Sequence, residues 1–320
     1  MVTMNRILIE TAFIMIFGGC DGSMKMLRAY GKPTNATGGT QVGVSSFSEC
    51  VDECYNSIYC VLAYGTESSC TLYDFNNAYT VMQLDETSEV MVALKVNISY
   101  CPVLPSQSFS NNYIYDPTYP YTVSNYSVTF ANNVWSFKYT VTKSCPSDWT
   151  RYTRPTTDYC LKFYGSPSAT YTQQQATDYC ALQNATLAGL ETTAEQDAMT
   201  SQGLAINQKD ARGLNYSAFW VSGVRRSACT TLAQVATVAC SGTRSFTFSD
   251  VYLTKIAGYQ FAPGNPDGVT EAGAIQNCIM LRTQTNGDTM LGKVDDVQCT
   301  YTTGSVFDIH GYICGKIPGI

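Results

Sequence analysis

Fourteen cysteines in a chain of 320 residues constrain this fold more than any other feature. Their spacing is wide and irregular, with no CxxC pair, and the chain has a single histidine, His310. Zinc modules built on cysteine pairs or several histidines are therefore excluded. What remains is a disulfide framework, which forms and persists in an oxidising compartment. Five Asn-x-Ser/Thr sequons, at Asn35, Asn97, Asn125, Asn184 and Asn215, point the same way.

The N-terminus agrees. Arg6 precedes an apolar run, Ile7 to Phe17, broken only by Glu10 and Thr11 and followed by Gly18, Gly19 and Cys20. This is the outline of a secretory leader over residues 1–19, too short to span a bilayer. Cleavage before Cys20 keeps an even number of cysteines; cleavage after it, with Gly18 at −3, leaves thirteen. No other apolar run reaches membrane length, so a secreted, extracellular protein without a membrane span is expected. A net charge of −6 gives no basic footprint for nucleic acid.

Residues 20–101 read as a small disulfide domain. Strands are expected over Lys25 to Tyr30 and Glu89 to Asn97, the second alternating at Val90, Val92, Leu94 and Val96. A helix opens near Ser46-Phe47-Ser48-Glu49, capped by Ser46 or Ser48, with Cys50 and Cys54 on one face. Cys60 and Cys70 fall on two further strands. Residues 102–144 form a connector rich in Tyr, Asn and Ser, too aromatic for a free linker. It carries a predicted hairpin around Asn132-Asn133.

The larger domain spans 145–320. Its predicted helices run over Thr170 to Cys180, capped by Thr170 or Thr172, and over Thr192 to Gly203. For the second, Thr193 and Gln196 make a capping box and Gly203 a stop. Phe219 to Val224 reads as a buried strand, and further strands are expected near Ile279 to Leu281, Gly292 to Val294 and Gly311 to Cys314. His310, four residues before Cys314 in a strand-like run, reads as structural or solvent-facing.

Two resemblances organise these pieces. MKMLRAYGKP, FSECVDECYNSIYCVLAYGTESSCTLYDF and VMVALKV resemble the CW domain, a PAN-like module found ahead of C-type lectin domains in nematode secreted proteins. CPSDW, YCLKFY, TYTQQQATDYC, ATLAGLETTAEQDAM, FWVSGVR, APGNPDG, QNCIML, VDDVQC and GYICGK resemble, in order, the C-type lectin-like domain. The implied fold class is α+β: the PAN-like domain, then two small sheets, two helices and a long ligand loop. The PAN resemblance implies Cys54–Cys60 nested in Cys50–Cys70, with Cys20–Cys101 tying the ends. The lectin resemblance implies Cys145–Cys160, Cys180–Cys314 and Cys278–Cys299, leaving Cys229–Cys240 as a local staple.

The lectin resemblance also implies a calcium and carbohydrate site. Asn265-Pro266-Asp267 aligns with the family's cis-proline motif, Val294-Asp295-Asp296 with its Trp-Asn-Asp, and Gln276 with a family glutamate. Asn265, Asp267, Gln276, Asp295 and Asp296 thus form the expected metal and sugar-binding set, offering oxygens of the kind calcium takes. The expected function is carbohydrate binding, with calcium as the candidate cofactor, on microbes or host glycoproteins. The alternative is a calcium-independent protein-interaction or structural module. An enzyme is not expected: adjacent aspartates do not face each other across a bond as glycoside hydrolysis requires.

Overall fold

The computed structural model describes residues 23–98, 107–214, 216–269, 275–284 and 289–319. The leader, the Cys20–Cys101 pair and Asn215 lie outside the described residues. The chain divides between Lys143 and Ser144 into two compact units.

The first unit is built on strands β1 (Ser23–Ala36), β2 (Thr40–Val42), helix α1 (Phe47–Asn56), β3 (Cys60–Thr66), β4 (Ser69–Asp74), β5 (Ala78–Gln83), β6 (Met91–Ile98), β7 (Phe109–Ile114), β8 (Thr122–Ala131) and β9 (Val134–Lys143). They form one sheet in the order β2-β4-β3-β6-β1-β5-β9-β8-β7. Ser46 is the cap of α1, accepting the N–H of Glu49 at 3.2 Å. The helix has no glycine at its end; instead the ammonium of Lys95 donates to the carbonyls of Tyr55 (2.8 Å) and Ser57 (2.7 Å), placing a cation at the negative end of the helix. Cys50–Cys70 and Cys54–Cys60 fasten α1 to β4 and β3.

The connector supplies β7, β8 and β9. Asn132 and Asn133 both adopt positive φ (52° and 61°), the conformation of a two-residue turn that matches strand twist. The hairpin they close pairs through β9 with β5, and its Trp135, Tyr126 and Phe137 share a core with Leu27, Val81 and Leu94. The hairpin thus packs on the first unit through Tyr126, Trp135 and Phe137, while Tyr113, Tyr115 and Tyr119 of the same stretch stay exposed.

The second unit comprises β10 (Thr150–Thr153), β11 (Asp158–Gly165), α2 (Gln173–Ala181), β12 (Thr186–Leu187), α3 (Thr193–Asn207), β13 (Tyr216–Arg225), the short α4 (Leu232–Val235), β14 (Phe246–Thr247), β15 (Cys278–Thr283), β16 (Val294–Val297) and β17 (Phe307–Lys316). The sheet order is β10-β11-β17-β13-β15-β16. The two small sheets implied by the sequence are joined here, because β13 and β17 pair in parallel. Disulfides Cys145–Cys160, Cys180–Cys314, Cys229–Cys240 and Cys278–Cys299 cross-link the unit.

Two details of α3 differ from the sequence reading. Its cap is Thr192, accepting from the N–H of Glu195, one residue earlier than the Thr193–Gln196 box. Nor does Gly203 end it, since α3 continues to Asn207. A Cβ at Gly203 would stand 2.5 Å from Thr283 Cγ2 and 2.7 Å from Phe219 Cε2, so glycine is there for close packing of helix on sheet.

Candidate functional site

Between β13 and β15 the chain makes a long excursion with little regular structure, and three carboxylates fasten it. Glu191 accepts the N–H groups of Thr254 (2.8 Å), Lys255 (2.9 Å) and Ile256 (3.1 Å). These bonds hold its carboxyl below the usual range although burial alone would raise it. Asp250 accepts the N–H of Gly189 at 2.9 Å. It also pairs at 2.8 Å with Arg154, whose guanidinium bonds both carboxylate oxygens of Glu195 at 2.9 Å and the carbonyl of Gly189 at 2.9 Å. Arg154, Glu195 and Asp250 are fully buried, and the ring of Tyr159 lies 3.9 Å beneath the guanidinium.

The third carboxylate is Asp296. It accepts the N–H groups of Asp267 (3.2 Å) and Gly268 (2.9 Å), fixing the loop just after the cis Asn265–Pro266 bond. It also pairs with Arg225, the last residue of β13, at 2.5 Å, with neither side chain exposed. Arg225 donates through Nε to the Gln276 carbonyl at 2.7 Å, and Phe246 flanks its guanidinium at 4.8 Å. Burial raises the carboxyl pKa of Asp296, while the Gly268 amide and Arg225 pull it back; burial lowers that of Arg225, which Asp296 opposes.

Asp295 does not join this cluster. Successive strand residues face opposite sides, and Asp295 pairs instead with Arg282 at 3.2 Å, beside Tyr216. Burial pushes its pKa up to about 6, with Arg282 opposing and Asp296 adding to the rise. Of the expected set, Asp296 and the carbonyl of Gln276 converge on Arg225 and the Asp267 N–H bonds Asp296, while Asp295 lies on the other face. Asn265 and Gln276 are half-buried, and Asp267 is exposed with its own carboxylate accepting the Val269 N–H at 2.9 Å. Among the described sequons, Asn35 and Asn184 are exposed and Asn97 and Asn125 half-buried.

The profile of the C-type lectin domain-containing protein 141/158 family matches residues 147–317, more than half of the chain. The chain belongs to this family. A PAN-like domain profile matches residues 26–96, so the lectin unit follows a PAN-like one. The lectin unit is similar to the cow CD23 carbohydrate-recognition domain, crystallised with a GlcNAc2Man3 oligosaccharide, at 18% identity over 55% of this chain and 98% of that one, TM-score 0.34. A calcium-independent type II antifreeze protein matches at 18% identity over 55% and 97%, TM-score 0.33. The mouse scavenger receptor C-type lectin domain matches at 16% identity over 54% and 98%, TM-score 0.33. No curated protein matches.

C-type lectin membership raises the question of calcium, and the lectin unit's geometry answers against it at this position. Calcium takes six to eight oxygens at about 2.3–2.6 Å. Here Oδ1 of Asp296 is taken by the Asp267 N–H, while its Oδ2 and the carbonyl of Gln276 are both bonded to a buried cation, Arg225. A divalent ion would have to sit beside that guanidinium in a low-dielectric setting, where like charges repel most strongly. The expected ligand set therefore does not fit calcium in this arrangement.

Arg225 was within the motif FWVSGVR but carried no role from sequence. The signal that was available is a charge at the end of an otherwise apolar strand, which requires a buried partner. Arg154 gave no comparable signal. Among the described residues no helix is long and apolar enough to cross a membrane.

Proposed function

We propose that this is an extracellular, non-catalytic binding protein whose lectin unit engages glycans or glycoproteins without calcium. The observation that carries the reading is Arg225, a fixed positive charge bonded to Asp296 and to the Gln276 carbonyl in the seat that a loop-organising cation would need. Asn265, Asp267 and Gln276 remain at or near the surface, where amide and carboxylate groups can hydrogen-bond sugar hydroxyls. Six disulfides among the described residues support an oxidising, extracellular setting.

A second reading, protein rather than glycan recognition, is favoured by aliphatic side chains on the same loop region. Leu232 (57%), Val238 (78%), Val251 (80%) and Val269 (52%) are exposed, and such groups suit an apolar protein surface.

The deciding experiment is a glycan array probed with the disulfide-intact protein in calcium and in chelator, alongside calorimetric calcium titration. Glycan binding unchanged by chelator, with no calcium heat, is the expected result. Saturable calcium binding that disappears in Asp296→Asn would sink the calcium-free reading. Absence of any glycan signal in either condition would leave the protein-recognition reading in its place.

A further inference from the structure

His310, the single histidine of the chain, is neither solvent-facing nor idle packing. It is 2% exposed and sits at an irregularity in the sheet. Ala218 on β13 pairs with Ile309 and Phe219 pairs with Gly311, so His310 is the extra residue of a bulge in β17. Bulges of this kind re-aim a side chain. Its Nδ1 lies 2.9 Å from the Ala169 carbonyl. A carbonyl only accepts, so Nδ1 carries the hydrogen and Nε2 of the neutral ring presents a lone pair.

That lone pair faces a carboxylate. Asp210, in the turn after α3, uses Oδ1 to accept the N–H of Arg212 at 2.9 Å. Its Oδ2 is buried without a hydrogen bond, as is His310 Nε2, and the two atoms are 3.4 Å apart. Asp308 lies two residues before His310 on β17, and one ligand atom from each of Asp210, Asp308 and His310 falls within 4.8 Å of the others. Arg212 holds Asp308, donating from Nη1 to Oδ1 at 2.6 Å and Oδ2 at 2.5 Å, and the Gly304 N–H reaches Oδ1 at 3.2 Å. A carboxylate has about four acceptor positions, so Asp308 retains one.

We propose that Asp210, Asp308 and His310 form a binding site for a zinc-class divalent cation, separate from the long loop. Two electron-rich atoms buried face to face require something positive between them. A proton is the poorer answer, because charge-assisted N–H···O bonds close to about 2.7–2.9 Å. Two ligands held at about 2.0–2.1 Å around a tetrahedral zinc stand about 3.3–3.4 Å apart, which matches the observed separation. An imidazole with its other nitrogen donating to a carbonyl is the usual arrangement of a metal-bound histidine. One nitrogen and two carboxylates select a transition ion over calcium or magnesium. Arg212 then orients Asp308; unlike the enclosed Arg225, its side chain is 48% exposed, so water screens its charge from an ion beside Asp308.

The test is zinc titration of the chelator-stripped, disulfide-intact full chain by calorimetry, with the imidazole resonances followed by NMR. With one histidine in the sequence, those resonances report on this site alone. We expect about one zinc per chain, a shift of the imidazole nitrogen on binding, and no competition from calcium. Asp210→Asn keeps an oxygen for the Arg212 N–H but loses the charge, and should weaken binding by more than about tenfold. The unfolding midpoint of zinc-free Asp210→Asn, compared with wild type, separates loss of the site from loss of the fold. No saturable binding to the wild type, or equal affinity in a folded Asp210→Asn with an unmoved imidazole, overturns the proposal.

Discussion

Arg225 and Asp296 meet at 2.5 Å with neither side chain reaching solvent, and the loop that follows the cis Asn265–Pro266 bond is tied to the same carboxylate. A charge pair of this kind organises a loop without an exchangeable ion. Its permanence differs from that of a metal: it cannot be removed by a chelator, only by mutation or by neutralising one partner.

Replacing Arg225 by Ala should therefore cost about 3–5 kcal/mol, the usual penalty for leaving one member of a buried pair alone. Chemical denaturation of Arg225→Ala measures it. In the wild type, adding or withdrawing calcium alone should leave the unfolding midpoint where it is, because no calcium holds the loop.

Arg154 should be at least as sensitive. Its guanidinium makes four bonds, to Glu195, Asp250 and the Gly189 carbonyl, inside a fully buried cluster. Arg154→Lys keeps the charge but not the planar fork. A loss of about 2–4 kcal/mol in that variant, and more in Arg154→Ala, is expected from denaturation midpoints.

Gly203→Ala tests packing against propensity. Alanine favours a helix over glycine by about 1 kcal/mol. At this position the new methyl meets Thr283 and Phe219 below 3 Å, and overpacking costs about 1–3 kcal/mol. Net destabilisation is expected; a rise in melting temperature would show that the helix can shift off the sheet.

Asp295 gives a pH signature. Its carboxyl is raised by burial from 3.8 to about 6, so the folded state holds a proton that the unfolded state has released between those values. Stability from this group is thus greatest below about pH 4 and is lost as pH rises through 6, by at most ~3 kcal/mol. Comparing stability against pH for wild type and Asp295→Asn isolates the effect: the variant's curve should be flatter between pH 4 and 7.

Local chemistry was legible in the sequence and long-range pairing was not. Ser46 at the start of α1 and the Asn132-Asn133 turn are decided by residues within a few positions of one another; β6, read as alternating, is instead buried on both faces from Val92 to Val96 because the neighbouring elements cover it. Gly203 was misread because a glycine that stops a helix and a glycine that admits a neighbouring strand look the same without the neighbour. Arg225 and Asp296 are 71 residues apart, and Arg154 and Asp250 are 96 apart, so no window of sequence connects them. The adjacency of Asp295 and Asp296 suggested one site; strand geometry sends them to opposite faces. His310 was read only as structural or solvent-facing because its carboxylate partner, Asp210, is 100 positions away.

The pairing of β5 with β9 bears on how portable the PAN-like module is. The matched stretch, residues 26–96, stops before β7, β8 and β9, yet Trp135 on β9 is completely enclosed in the core those strands share with β1, β5 and β6. Cut at the profile boundary, the module would carry a raw edge along β5 and a vacancy the size of an indole. The inherited unit and the folding unit are different lengths of chain, and a graft into another protein has to carry the longer one, through Lys143.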